Sequence, residues 1–163
     1  MEIRTYGDPV LRRKASSVER IDETTRKTCQ AMIEAMLRAK GMGIAAPQVG
    51  VSQRIIVLDS DGELHILVNP ELVETSPETQ ETSEGCLSVP GVEALVARHL
   101  RARLQGTTLE GETAEVSGEG LLARAMQHEI DHLNGVLFVD YLTPAKRRSL
   151  LKEYTRKRKE KDE

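Results

Sequence analysis

The sequence predicts a single α+β domain: a histidine-bearing helix packed with small antiparallel β-sheets, plus a C-terminal helix. Three observations carry this expectation. Helical signals mark separate stretches: periodicity near 22–40 and 121–133, and a Thr143-Pro144 start for a last helix. The apolar runs between them are joined by short turn signals, the pattern of hairpins. The length of 163 residues fits one domain that buries a core without disulfides. Residues 1–145 are read as the body of this domain and 146–163 as a basic helix or tail belonging to it.

The aromatics are Tyr6, Phe138, Tyr141 and Tyr154, with no Trp, so Leu, Val, Ile, Ala and Met must fill the core. A net charge of −3 excludes a nucleic-acid binder working by bulk electrostatics. Cys29 and Cys86 sit in different contexts and suggest no disulfide framework. No apolar stretch is long enough to span a bilayer, and the start, Met1-Glu2-Ile3-Arg4, resembles neither a signal nor a transit peptide. The expected location is the reducing cytoplasm, away from membranes.

In order, residues 1–20 read as irregular, with a turn at Gly7-Asp8-Pro9 and a short helical turn or strand after it. Asp22 is the expected N-cap of a helix ending near Lys40-Gly41, with Cys29, Met32, Ile33, Met36 and Leu37 on its apolar face. Gly41 to Gly50 is a glycine- and alanine-rich loop whose backbone can approach a ligand closely. It follows a helix and precedes a strand, the reverse of a dinucleotide-binding loop. Gln48 is its one side chain that both donates and accepts. Arg54–Leu58 and Leu64–Val68 read as a hairpin, with His65 solvated and Asn69-Pro70 ending the second strand. A further short strand and a turn at Ser76-Pro77 follow. Cys86 lies in Glu84-Gly85-Cys86-Leu87-Ser88, a loop or strand end, and position alone leaves it open between a ligand and a structural cysteine. Residues 92–105 alternate as one long strand, irregular near a solvent-facing His99. Leu109–Glu112 turns into a return strand, and Val136–Asp140 reads as extended. Thr143 caps a last helix with Pro144 in its first turn.

The chemistry centres on Gln127-His128-Glu129-Ile130-Asp131-His132. On a helix His128 and His132 share one face, the spacing at which two imidazoles hold one metal ion. Glu129 then stands beside the metal, where a carboxylate takes a proton from water. The third ligand decides the class. Phe138 occupies the metzincin position and cannot bind metal. Glu153 stands near the distance of a thermolysin-like ligand but in the basic helix, which makes Cys86 the better candidate by context. Residues 146–163 carry nine Lys or Arg against four Asp or Glu. Such a run is either a solvated helix or a surface that docks on a polyanion.

Three stretches together resemble the peptide deformylases: Gly41 to Gln48 (Gly-x-Gly-x-Ala-Ala-Pro-Gln), Glu84 to Ser88 (Glu-Gly-Cys-Leu-Ser) and Gln127 to Leu133 (Gln-His-Glu-x-Asp-His-Leu). The resemblance covers essentially Tyr6 through Tyr141. It implies a catalytic domain over 1–145 and a metal held by Cys86, His128 and His132. Glu129 acts as base and later proton donor, and Gln48 with the backbone N–H of Leu87 binds the oxyanion. The implied substrate is the N-terminal formyl-methionine of newly made chains. It lies extended along Met42, Gly43 and Gly85, with its Met side chain at Leu121, Arg124 and Ala125. Arg124 is expected to offer its stem as a wall while its head reaches solvent. Fe2+ is the implied metal, with Zn2+, Ni2+ or Co2+ able to substitute, and the basic helix is an implied ribosome contact. Glu93 stands where some relatives carry Arg or an aromatic, which leaves selectivity beyond the first residue open.

Overall fold

The computed structural model describes residues 1–162; Glu163, the last residue of the basic stretch, lies outside the described residues. The described residues form two sheets, three α-helices and three short 3₁₀ turns. Helix α1 spans Glu23–Arg38 and strand β1 Gly43–Ala45. Strands β2 (Ile55–Ser60), β3 (Glu63–Thr75), β4 (Thr79–Cys86), β5 (Val89–His99), β6 (Arg101–Thr107) and β7 (Thr113–Glu119) precede α2 (Leu121–Leu133) and α3 (Pro144–Asp162). The larger sheet runs β1-β2-β3-β6-β7 and the smaller is the hairpin β4-β5, all pairs antiparallel.

Strand β2 explains the layering. Its Ile55 and Val57 face α1 with Cys29, Met32 and Met36, while Ile56 and Leu58 face α2 with Met126, Ile130 and Leu133. Successive side chains of a strand point to opposite faces, so an unbroken apolar run is buried on both. A third cluster joins Val89, Val92 and Val96 of β5 to Phe138, Leu142, Leu150 and Tyr154, which docks α3 on the small sheet.

The α1 cap is as expected: the Asp22 carboxylate accepts from Thr25 N–H, and Thr25 Oγ1 accepts from Asp22 N–H, both at 3.2 Å. Leu37, expected on the buried face, is instead 55% exposed at the last turn, where the helix has passed the edge of the sheet. The glycine-rich stretch is more ordered than a loop. It forms β1 and then a 3₁₀ turn over Ala46–Val49. Thr143 Oγ1 accepts from Lys146 N–H at 3.3 Å and opens α3.

Other expectations fail for tertiary reasons. The single strand expected over 92–105 is two strands in different sheets. At the switch, Leu100 N–H donates to Glu78 O, and Leu100 O accepts from Gly120 N–H. Val136–Asp140 is not extended; Phe138–Tyr141 is a 3₁₀ turn, with Leu137 N–H on Asp140 Oδ2 at 3.0 Å and Arg12 on the same carboxylate at 2.7 Å. Strand β3 does not end at Asn69-Pro70. It continues past a register shift between Val68 and Glu71, which carries the proline without needing its missing N–H.

Asn69 makes that bulge possible. Its φ is +53°, and its amide grips Val18, accepting from the N–H at 2.8 Å and donating to the carbonyl at 2.9 Å. Asn69→Ala should therefore lower the unfolding free energy by about 3 kcal/mol, from the left-handed backbone plus two lost hydrogen bonds. Asn69→Gly keeps the backbone at ease and should lower it by about 1–2 kcal/mol. Denaturant titration of both variants checks the order.

Candidate metal centre and active site

Helix α2 buries almost every residue from Ala123 to Leu133, and two of its faces do different work. Ala123, Met126, Ile130 and Leu133 pack on the large sheet. His128 and His132, one turn apart, turn toward the small sheet. The helix ends at Asn134, and Gly135 adopts φ +76° with Arg12 O so close that a Cβ would stand 2.6 Å from it. Strand β4 ends at Cys86, opposite Val89 and after a bulge at Glu84. The bulge delivers the thiol to the histidines.

His132 Nε2 lies 3.1 Å from His128 Nε2 and 3.3 Å from Cys86 Sγ. Among the described residues, Cys86, His128 and His132 form the one group of metal-type donors, with ligand atoms within 4.8 Å of one another. The set fits a divalent cation. Two imidazole nitrogens and a thiolate are donors that zinc and late transition metals accept, and three protein ligands leave a position open. Electrostatics agrees. Burial drives His132 well below its usual pKa with help from the neighbouring His128, whereas Cys86 and Glu129 hold His128 above its own against burial.

Behind the donor cluster lies a buried carboxylate, Glu84. Glu84 Oε2 sits 2.7 Å from His128 Nδ1 and 2.7 Å from Arg98 Nη2. Its Oε1 accepts from Arg98 Nε at 3.1 Å and Arg124 Nη1 at 2.8 Å. Burial alone would raise the Glu84 pKa, but His128 and Arg98 bring it down to about 2. Arg98 continues to Asp131 at 2.6 Å, which also accepts from the Tyr141 hydroxyl at 2.7 Å. A carboxylate on the outer nitrogen of a ligating histidine fixes the ring and aims Nε2 inward.

Glu129 is 4% exposed and faces the cleft beside the ligands; its Oε1 is buried without a hydrogen-bond partner. Burial pushes its pKa up to about 7. A Cβ on Gly43 would stand 2.7 Å from Glu129 Oε2, so glycine is what lets β1 pass this carboxylate. Gln48 is held in one orientation: Ala45 N–H donates to its Oε1 at 2.9 Å, and its Nε2 donates to Ser88 Oγ at 3.2 Å, beside Cys86 Sγ at 3.8 Å.

One cleft of about 860 Å³ gathers Met42, Gly43, Gln48, Gly85, Cys86, Leu87, Leu121, Arg124, Ala125, His128 and Glu129, with His132 buried behind it. Strand β1 pairs only with β2 and β4 only with β5, so Gly43 and Gly85 bring two free strand edges to the same cleft. Leu121 is 67% exposed at the mouth.

Several expectations are corrected here. The Arg124 head does not reach solvent; the side chain is buried and its guanidinium binds Glu84 and the Gln80 carbonyl, the latter at 2.7 Å. His99 is half-buried rather than solvent-facing, with Nδ1 2.7 Å from Ser76 O, and His65 is half-buried on β3. Glu153 borders the cleft but pairs with Lys157 at 3.3 Å, away from the donor cluster. Cys29 is core, and burial lifts its thiol to about 11. Glu84, Arg98, Asp131 and Ser88 were passed over as site residues. Glu84, Ser88 and Asp131 lie inside the motifs, whereas Arg98 gives no signal.

Taken together, the α+β frame, the H-E-x-x-H helix and the cysteine opposite it fit the class of metal-dependent hydrolases. The family model for polypeptide deformylase matches residues 1–148. A peptide deformylase of Thermotoga maritima is 46% identical over 151 residues, covering 93% of this chain and 92% of the relative. The crystal structure of a peptide deformylase from Legionella pneumophila superposes with a TM-score of 0.94 at 40% identity, covering 98% of this chain and 96% of that one. The Synechococcus elongatus enzyme, solved in complex with actinonin, gives 0.89 at 39% identity, covering 94% and 85%. The chain belongs to the polypeptide deformylase family.

Two substitutions test the site. Glu84→Gln should weaken metal binding about 10–100-fold in chelator competition. It should also destabilise the fold by about 3 kcal/mol, since it leaves buried arginines uncompensated. Gly43→Ala should leave metal content and folding intact, yet lower kcat by about 10–100-fold by displacing Glu129.

Proposed function

We propose that this chain removes the formyl group from the N-terminal formyl-methionine of newly synthesised proteins, releasing formate and a free amine, and that Glu129 is its general base. The observation that carries the residue roles is the convergence on one cleft of three metal-type donors, an unpartnered buried carboxylate oxygen and an oriented amide, flanked by two free strand edges.

The substrate backbone adds as an extended strand between β1 and β4, pairing at Met42, Gly43 and Gly85. Its first side chain enters the space bounded by Leu121, the Arg124 stem and Ala125. Glu129 takes a proton from the attacking water and returns it to the departing nitrogen. The Gln48 amide and the backbone N–H of Leu87 stabilise the oxyanion. Cys86, His128 and His132 would hold a divalent cation, which would supply Lewis acidity and lower the pKa of a nearby water. A formyl group is the smallest acyl group, so steric exclusion of larger ones would select against ordinary peptide bonds. Fe2+ is the proposed native metal, with Zn2+, Ni2+ or Co2+ as substitutes. A thiolate beside ferrous iron makes the centre oxygen-sensitive.

Residues 1–145 form the catalytic body, and α3 belongs to the same domain because Leu150 and Tyr154 are buried against it. Among the described residues no helix is long and apolar enough to cross a membrane. The proposed setting is the cytoplasm, with the basic outer face of α3 meeting the ribosome where new chains emerge.

Protein purified without oxygen and loaded with Fe2+ should release formate from a short formyl-Met peptide. Glu129→Ala at equal metal content should be about 10²–10⁴-fold slower. Stoichiometric metal binding without turnover for any divalent metal would overturn the reading. Reversing the exposed charges Arg148, Lys152 and Lys159 to Glu should weaken sedimentation with ribosomes in a salt-dependent way while peptide turnover stays unchanged.

A further inference from the structure

Arg124 does more than line the cleft. It lies one helical turn before His128, so the two side chains leave α2 on the same face. The stem of Arg124 borders the cleft, yet the residue is only 7% exposed. Its guanidinium donates to Gln80 O at 2.7 Å and to Glu84 Oε1 at 2.8 Å. The other oxygen of the same carboxylate meets His128 Nδ1 at 2.7 Å. Two hydrogen bonds therefore connect a cleft-wall side chain to the outer nitrogen of a ligating histidine.

Charge balance gives this connection weight. Arg98 and Arg124 face Glu84 and Asp131, two positive and two negative charges in one buried network. Removing the Arg124 charge leaves a net negative charge against the His128 ring. Glu84 then pulls harder on Nδ1–H and the inward nitrogen changes as a donor. Buried networks transmit such changes because water does not screen them.

We propose that Arg124 is a positioning residue that ties occupancy of the first-side-chain pocket to the orientation of His128. A long side chain packed along the Arg124 stem holds the guanidinium on Glu84, and Glu84 holds the ring. Without a side chain along the stem, the hydrogen bonds to Gln80 O and Glu84 Oε1 alone hold the guanidinium. The assignment rests on the deformylase reading and adds to it: the pocket contributes to the rate of the chemical step as well as to binding.

The test is a series of formyl peptides whose first residue is Gly, Ala, norvaline or Met, with kcat and KM measured separately. In the wild type, kcat should rise about tenfold from Gly to Met. Arg124→Met fills the same space without the charge. Its kcat for the Met peptide should fall to the level of the Gly peptide, while KM stays within about threefold. Arg124→Lys should recover part of kcat. The visible absorption of the Co2+-loaded wild type should shift on saturation with a Met-first product peptide and not with a Gly-first one, and Arg124→Met should abolish that difference. A flat kcat series in the wild type, identical Co2+ spectra, or an Arg124→Met effect confined to KM would overturn the proposal. If Arg124→Met does not fold, the wild-type series and spectra decide alone. Absence of any wild-type turnover would instead overturn the deformylase reading.

Discussion

The fold depends on one buried carboxylate. Glu84 receives two guanidinium groups and an imidazole, and every one of its partners arrives on a different turn or strand: Arg98 from β5, Arg124 and His128 from α2. An isolated ion at this depth would be expelled or neutralised, because removal from water costs several kcal/mol per charge. Pairing offsets that penalty only when all partners are in place. The hairpin β4-β5 must therefore lie on α2 in one register, and that register brings Cys86 opposite the histidines. The ligand cluster is a by-product of where Glu84 can be satisfied.

The second constraint is steric. Strand β1 is only three residues long, yet it has to pass the Glu129 carboxylate at a distance that excludes any side chain. Gly43 meets that condition. Gln48 then turns its carbonyl to Ala45 N–H and its nitrogen to the thiol side of the cleft, so its polarity is set by a backbone donor rather than by a ligand. The cleft walls are consequently preformed. The free edges of β1 and β4 supply unpaired backbone groups on both sides of it, which suits an extended chain better than a compact molecule.

How much of this was legible depended on whether the cause was local. The α1 cap, the α2 histidine spacing and the Thr143-Pro144 start are written in neighbouring residues, and the structure has them. Two of the three candidate donors share a face by helical spacing, while Cys86 stood out by context and by its motif companions, since nothing in Gly85-Cys86-Leu87 itself shows what stands across the cleft. Glu84 sits in a largely polar strand and Arg98 near the end of a largely apolar one, and neither context announces a buried ion pair; their burial arises from packing between distant elements. Arg124 was placed in the right cleft with its head in the wrong medium for the same reason. The alternation across 92–105 was real, but periodicity reports which residues share a face and not which sheet a strand joins. A backbone bond from Leu100 to Glu78 made that difference.

That switch at Leu100 is clamped by Gln127. The amide of this side chain accepts from His99 N–H and donates to His99 O, both at 2.9 Å, imitating a neighbouring strand where no strand is present. The residue preceding the first ligand histidine thus sutures the two sheets. Cys86 lies on one side of the suture and the histidine helix on the other, so the three donors meet only where the small hairpin rests on α2.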